Sequence, residues 1–392
     1  MEEKYAFFQK ALEKKREQKE YSQLRCVIPL DESHISPDRK ILNFSSQDFL
    51  GLAQHPYVKK NTIKYVLEWG AGTTPSRFVT KHLECHRSVE EKLAELIGKE
   101  TALLFPSAFQ THQSILSTLA NRRSLIFIDR FCQHGLIQAA IASQAKVFRY
   151  EHQNLADLQN LLSKYKETPC DSKLIISESL FGFNGEIASL KELSELADKH
   201  QTLLYVDDSF AVEILGKHGM GLASHRKGVD IVMGSFGKSC GSFGAFIGCT
   251  SLIRDYLTSF NPQILETTAL PPAVLGAISA ALDLIPDMQV ERRKVLSNSM
   301  YLQEELRKDG WEIGNPSAHI TPLLCVNEIE CLKLSQALTE AHILTTALLP
   351  PTVPQGACRL RLILGALHTQ DQLHTLIQTL KNLKQEPSLS IV

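Results

Sequence analysis

The residue best placed for covalent chemistry is a lysine held among small residues at the end of an apolar run. In DIVMGSFGKSCGSFGAFIG, Lys238 lies in a Ser/Gly-rich loop between two apolar strands, and the flanking glycines let the backbone approach a ligand closely. Buried walls on both sides would desolvate the amine, which lowers a lysine's proton affinity and favours a neutral nitrogen able to form a Schiff base. Taken by itself, the same pattern fits a solvated turn lysine. About thirty residues earlier, TLLYVDDSF closes a buried strand with Asp207, at the carboxyl edge of a sheet where α/β proteins bind ligands. A carboxylate there can pair with a protonated pyridine nitrogen; a strand-end Asp capping a turn is the plain alternative. The two features together are much rarer by chance than either alone. FPSAFQTH opens a helix directly after a strand, and small residues at a helix N-terminus offer unpaired N–H groups to a phosphate, although any helix cap looks similar.

From Cys85 onward the chain carries the alternation needed to position such groups. CHRSVEEKLAELIG reads as a helix stopped by Gly98, TALLF as a buried strand, SAFQTHQSILSTLA as a helix, SLIFI as a strand, and HGLIQAAIAS as a helix before the strand AKVFRY. KLIISE, TLLYVD, DIVMGS and GAFIG supply further strands, and SLKELSELADKH reads as a helix opened by a capping box between Ser189 and Glu192. Short buried strands alternating with helices predict an α/β domain, a mainly parallel sheet covered by helices, over residues 60–290. After Pro286 a long helix, the strands HITPLLCV, HILTTAL and CRLRLIL, and a last helix QDQLHTLIQTLKNLKQ predict a smaller α+β domain at 291–392. Residues 1–59 read as an N-terminal helix and arm. The helix carries Tyr5, Phe7, Phe8 and Leu12 on one side, expected to pack on the main body or a partner subunit. EPSLSIV reads as a frayed tail.

The 392 residues carry 42 Lys+Arg against 43 Asp+Glu, a net charge of −1, with 43% hydrophobic and 22% charged residues. This balance excludes disorder and low-complexity architectures and lacks the basic field of a non-specific nucleic-acid binder. The nine cysteines are scattered, with no CxxC pair and no zinc-ligand spacing, so free thiols in a reducing compartment and no metal are expected. The charged, amphipathic N-terminus lacks the apolar centre of a signal peptide, and apolar runs such as LIFI and LLYV are far shorter than a membrane span. A cytoplasmic protein without integral membrane association is the expectation.

Taken together, the motifs resemble the α-oxoamine synthase family of fold-type I pyridoxal 5′-phosphate (PLP) enzymes, and the resemblance runs through nearly the whole chain. ILNFSSQDFLGLAQHP is similar to the family's entry segment NFSSNDYLGL, and GAGTTPSRFVTKHLECHRSVEEKLAELIG to its glycine-rich stretch and H-x-x-L-E. SFGKSCG matches the (T/S)-F-(G/S)-K lysine motif, TTALPP the S-T-S-x-P-P element, and PPTVPQGACRLRLILGALH the motif P-P-T-V-P-x-G-x-x-R-L-R. The last match is strongest for the family's biotin-pathway member. The resemblance implies a homodimer with an aminotransferase-like large domain, in which Lys238 carries PLP and moves the proton at Cα while Asp207 pairs with the pyridinium. It further implies that Ser235 and the backbone of Ala108 and Phe109 hold the phosphate, and that Thr268 reaches it from the neighbouring subunit. Arg361 would bind the amino-acid carboxylate, with Ser76 also on the substrate side; against this, Arg359 and Arg361 could simply alternate on a strand with one facing solvent. Glu178 aligns with a family glutamate near the cofactor, and a satisfied structural carboxylate is equally open.

The departures are as specific as the matches. The histidine expected over the ring, four residues after an Asp, is Gln133, with His134 one residue late; the family's D-x-A-H reads DDSF, leaving Phe210 where a histidine contacts the phenolic oxygen. Gly182 stands at a Ser/Asn position, Thr74-Pro75 where glycines are usual, and His112 where Asn is common. His134, His82, His86 and His112 are the candidate substitutes for the missing imidazoles. The implied activity is decarboxylating condensation of a small α-amino acid with an acyl thioester, nearest to L-alanine with pimeloyl-CoA or a pimeloyl carrier protein. Glycine with acetyl-CoA, serine with a long-chain acyl-CoA, and a paralogue with weakened or lost catalysis are the alternatives.

Overall fold

The computed structural model describes residues 3–17, 28–29, 34–36, 41–74, 76–79, 82–238, 240–350 and 352–385. Its strands are β1 (Ile28–Pro29), β2 (His34–Ser36), β3 (Ile41–Asn43), β4 (Thr101–Phe105), β5 (Leu125–Asp129), β6 (Lys146–Tyr150), β7 (Lys173–Glu178), β8 (Leu203–Asp207), β9 (Ile231–Ser235), β10 (Ala245–Cys249), β11 (Ile320–Leu324), β12 (Ile343–Leu344), β13 (Thr346–Leu348) and β14 (Arg359–Ile363). The helices are α1 (Ala6–Glu17), α2 (Pro56–Trp69), α3 (Glu84–Ile97), α4 (Ala108–Leu119), α5 (His134–Ala142), α6 (Leu155–Lys164), α7 (Leu190–Lys199), α8 (Ser251–Phe260), α9 (Pro262–Glu266), α10 (Pro272–Leu284), α11 (Gln289–Lys308), α12 (Glu328–Glu340) and α13 (Gln370–Lys384).

A seven-stranded sheet in the order β4-β10-β9-β8-β7-β5-β6 forms the centre. The β9-β8-β7-β5-β6 neighbours are parallel, and β10 is antiparallel to both β9 and β4. Continuous apolar strands are buried on both faces: in β4, Leu103 and Phe105 join one core cluster while Ala102 and Leu104 join the other. That is the period-two signature of a helix-covered sheet. A three-stranded antiparallel sheet, β11-β14-β13, packs a third core with Leu302, Leu306, Leu334 and Leu376 from the surrounding helices and Trp311 from the loop after α11. A four-stranded sheet, β1-β2-β3-β12, joins the N-terminal segment to this region through the parallel pair β3 and β12.

Gly98 stops α3 as expected, in a left-handed conformation (φ 66°) that returns its N–H to Ala94 and Glu95. Two local expectations are corrected. Ser189 does stand at the N-cap of α7, but at φ −75°, ψ 72° its hydroxyl makes no capping bond, so the capping box there does not form. One forms instead at α13, between Thr369 and Gln372. The N-terminal helix ends at Glu17, with residues 18–24 outside the described set, and Phe7 and Phe8 are 77% and 60% exposed; the main body of this chain does not cover them. The frayed-tail residues 386–392 also lie outside the described set. The eight described cysteines are free thiols. Among the described residues, no single helix is long and apolar enough to cross a membrane, and no group of His, Cys, Asp or Glu is arranged to hold a metal ion.

Candidate active site

The parallel register decides which side chains meet. Glu178 closes β7, Asp207 closes β8 and Ser235 closes β9, and Glu178 is paired directly with Asp207 across the ladder. The loop after β9 then returns Lys238 toward the same edge, so one strand-end row supplies two carboxylates, a hydroxyl and an amine. This is the ligand-binding edge of a parallel sheet.

Asp207, 2% exposed, accepts the Ser209 N–H on Oδ1 at 2.9 Å. Its Oδ2 faces His112 Nε2 at 3.1 Å, off the line of a hydrogen bond, and keeps an unmet acceptor position. His112 Nδ1 lies 2.8 Å from the hydroxyl of Tyr205, a fully buried residue. With its proton on Nε2, the ring accepts from the Tyr205 hydroxyl and turns an N–H toward the carboxylate, forming a Tyr205–His112–Asp207 relay. Burial pushes the Asp207 carboxyl up, but the His112 ring and Lys238 outweigh it and hold the group well below the usual carboxylate range. Glu178 behaves oppositely: burial, with the Asp207 charge beside it, pushes it up to about 8. Adjacent carboxylates of which only one stays charged is the expected outcome for a like-charge pair. Glu178 accepts the backbone N–H of Gln133 (2.5 Å) and of Gly182 (3.1 Å), so it ties two loops to the strand edge.

Lys238 Nζ stands 3.7 Å from the Phe210 ring centroid, and the Arg361 guanidinium 5.6 Å from the same centroid. Burial lowers the lysine's proton affinity; Asp207 and Glu178 oppose that, and Arg361 adds to it. Arg361 donates from Nη1 to the Gly182 carbonyl (3.2 Å) while its Nε is buried without a partner, and burial brings it down to about 10. Arg359 is also buried and donates to Asn184 Oδ1. The alternative in which one of the two arginines faces solvent is therefore corrected, because residues two apart on a strand share a face.

Gln133 caps α5, and its side-chain Nε2 is buried without a partner. Ala108 and Phe109 open α4 behind the Ser107 cap, with the Phe109 side chain 55% exposed. Ser76 and Thr268 face each other in an isolated antiparallel bridge, Ser76 buried and Thr268 exposed. Among the described residues this pair shares no hydrogen bond or ion pair with the Lys238 group. Of the four candidate substitute histidines only His112 enters the site. His86 bonds the Leu270 carbonyl at 3.0 Å and is brought down to about 4, chiefly by burial. His82 lies 3.3 Å from Glu90, and His134 is exposed on α5.

A second network lies behind Gln133. Asp129 accepts the Phe131 N–H (2.8 Å) and faces His152 Nδ1 (2.9 Å), whose Nε2 faces Glu186 (2.8 Å). Burial alone would lower His152, but the two carboxylates raise it to about 9. Its affinity for a proton is thus higher folded than the ordinary 6.5, so the stabilisation it gives is complete below that pH and is lost as pH rises through about 9. Denaturant unfolding at pH 6 and pH 10 should show wild type losing stability and His152→Gln losing much less; equal slopes would contradict this role.

The comparisons with known proteins fit this geometry. The profile described as aminotransferase class I and II matches residues 39–380. The chain belongs to that family, in its α-oxoamine synthase branch. An 8-amino-7-oxononanoate synthase from Geotalea daltonii is 36% identical over 357 residues, 89% of this chain and 90% of the relative. A Desulfosudis oleivorans protein provisionally given the same name is 38% identical over 368 residues, 94% of this chain and 95% of the relative. Among solved structures, serine palmitoyltransferase from S. paucimobilis with bound PLP-myriocin aldimine superposes with a TM-score of 0.89 at 21% identity, covering 97% of each chain. The family's fold-type I architecture, with its mostly parallel sheet, is thus the architecture of this chain, and PLP is its cofactor. The chain is a PLP-dependent α-oxoamine synthase of the acyltransferase type. The residues present fit PLP: the open acceptor on Asp207 Oδ2 and the unpartnered Gln133 Nε2 and Arg361 Nε are buried polar atoms that the protein itself does not satisfy.

Proposed function

We propose that this chain joins L-alanine to the acyl group of pimeloyl-CoA or a pimeloyl carrier protein, releasing CO2 and the thiol and forming 8-amino-7-oxononanoate. The observation that carries this reading is the placement of a desolvated amine and a buried guanidinium around one phenyl ring. Lys238 Nζ lies 3.7 Å and the Arg361 guanidinium 5.6 Å from the Phe210 centroid, so one ring has beside it an amine for the amino end and a guanidinium for the carboxylate end of a small α-amino acid. The names of the relatives supply the choice of acyl donor.

When bound, PLP supplies an electron sink conjugated to the substrate's Cα. Lys238 anchors it and, as a neutral amine, takes and returns the Cα proton. Asp207 stays charged and presents Oδ2 to the pyridine N–H, with His112 and Tyr205 fixing its orientation. Arg361 grips the carboxylate as a planar fork. Ser235 and the N–H groups of Ala108 and Phe109 at the start of α4 would hold the phosphate, Gln133 would contact the ring, and Glu178 fixes the loops that carry Gln133 and Gly182. Ser76 lies on the substrate side, and Thr268, exposed on its own chain, serves the neighbouring site of a homodimer. The exposed Phe78 and Val79, each 72% accessible close to Ser76, support a second copy as the partner there.

The test is a matrix of purified protein with L-alanine, glycine or L-serine against pimeloyl, acetyl and palmitoyl thioesters, reading thiol release and the amino-ketone product by mass. Turnover confined to L-alanine with pimeloyl thioester is expected. Preference for glycine with acetyl, or serine with palmitoyl, would replace this substrate assignment. Bound cofactor without turnover in any pair would favour the reading, motivated by Gln133 and Phe210, of a PLP-binding paralogue with lost catalysis.

A further inference from the structure

The loops that follow β7 and β8 meet at a contact with no slack. A Cβ added to Gly182 would lie 2.6 Å from Phe210 Cδ2 and Cζ, inside van der Waals contact. Gly182 is absent from the residues with left-handed φ, so the ring, and not the backbone, requires glycine there. Phe210 is 3% exposed and belongs to the core cluster that includes Leu180, Phe236 and Ile363, so its ring is packed between that core and Gly182. On its way out of the loop Lys238 Nζ meets that ring at 3.7 Å from the centroid.

We infer that Gly182 and Phe210 form a size-matched pair whose ring is the seat of the Lys238 nitrogen, orienting it and stabilising it when it carries positive charge. A benzene face attracts a cation through its quadrupole within about 6 Å of the centroid, yet it neither donates a hydrogen bond nor accepts one strongly. An imidazole, hydroxyl or carboxylate in the same place would engage the nitrogen's proton or its lone pair. The phenyl ring does neither, so once the amine is neutral its lone pair stays available for bond formation. The titratable groups acting on the nitrogen are Asp207 from β8, Glu178 from β7 and Arg361 from β14. Asp207, and Glu178 when it is ionised, draw a proton to it and Arg361 repels one, which leaves the ring as the uncharged fourth wall. Phe210 is in this sense a positioning residue.

The proposal rests on the PLP linkage at Lys238 and is independent of which acyl donor is used. Spectrophotometric pH titration of the yellow band of the holoenzyme reads the protonation of the linked nitrogen. In Phe210→Leu, which keeps bulk and removes the π face, the midpoint should fall by about one pH unit, the size of one cation–π contact. A midpoint unchanged from wild type would overturn the seat. The pairing is read separately by thermal unfolding without cofactor, which does not depend on the linkage at all. Gly182→Ala should lower the melting temperature strongly in the wild-type background and hardly at all in Phe210→Ala. Equal losses in both backgrounds would overturn the size match.

Discussion

Lys238→Ala is expected to abolish covalent retention of PLP and to lower turnover by about 10²–10⁴-fold, the range a positioned proton-transfer group supplies. The lysine is held against Phe210 at 3.7 Å, desolvated, and flanked by Asp207, Glu178 and Arg361. Borohydride reduction followed by denaturing dialysis should leave cofactor on wild type and none on the variant. The fold should survive, because among the described residues the side chain removed contributes a contact with one ring and no side-chain hydrogen bond. Cofactor that stays bound to Lys238→Ala after reduction would place the linkage on another residue.

His112→Leu carries the second large effect. His112 is 4% exposed and stands between the Tyr205 hydroxyl at 2.8 Å and Asp207 Oδ2 at 3.1 Å. Leucine keeps bulk but leaves a buried charge and a buried hydroxyl unanswered, a change that typically costs ~3–5 kcal/mol where one partner of a buried pair is removed. The burial that pushes Asp207 up would lose its strongest opponent, so the carboxyl should titrate higher and let go of the pyridinium as pH falls. Cofactor affinity of the variant should drop steeply toward acid pH while that of wild type stays flat. His112→Asn, which can still donate one hydrogen bond, should recover part of both stability and affinity. Equal pH profiles for Leu and wild type would remove His112 from the site.

Much of this was readable from the chain because parallel strands buried on both faces appear as uninterrupted apolar runs. KLIISE, TLLYVD and DIVMGS end on Glu178, Asp207 and Ser235, so locating the runs also located the ends. What the runs do not carry is the contact of one loop with another. His112 was one of four histidines of equal standing, and only the packing of α4 over β8 separates it from His82, His86 and His134. The Asp129–His152–Glu186 network was invisible because it depends on the β5–β6 register, which sets Asp129 opposite Tyr150, two residues before His152. Gly182 and Phe210 each read as a departure from pattern, and only their contact makes them one substitution. Ser189 carried the right letters for a capping box and the wrong ψ. The helix α12 is not legible in the sequence, since its mixed Glu328–Glu340 segment offers little apolar periodicity.

The two arginines of β14 hang from one strand and reach one loop, Arg359 to Asn184 and Arg361 to the Gly182 carbonyl. Both contacts cross from the three-stranded sheet to the loop after β7. The guanidinium pair is therefore a two-point seam between the small sheet and the large one, and a substitution at Asn184 reaches Arg361 through the strand that the two arginines share.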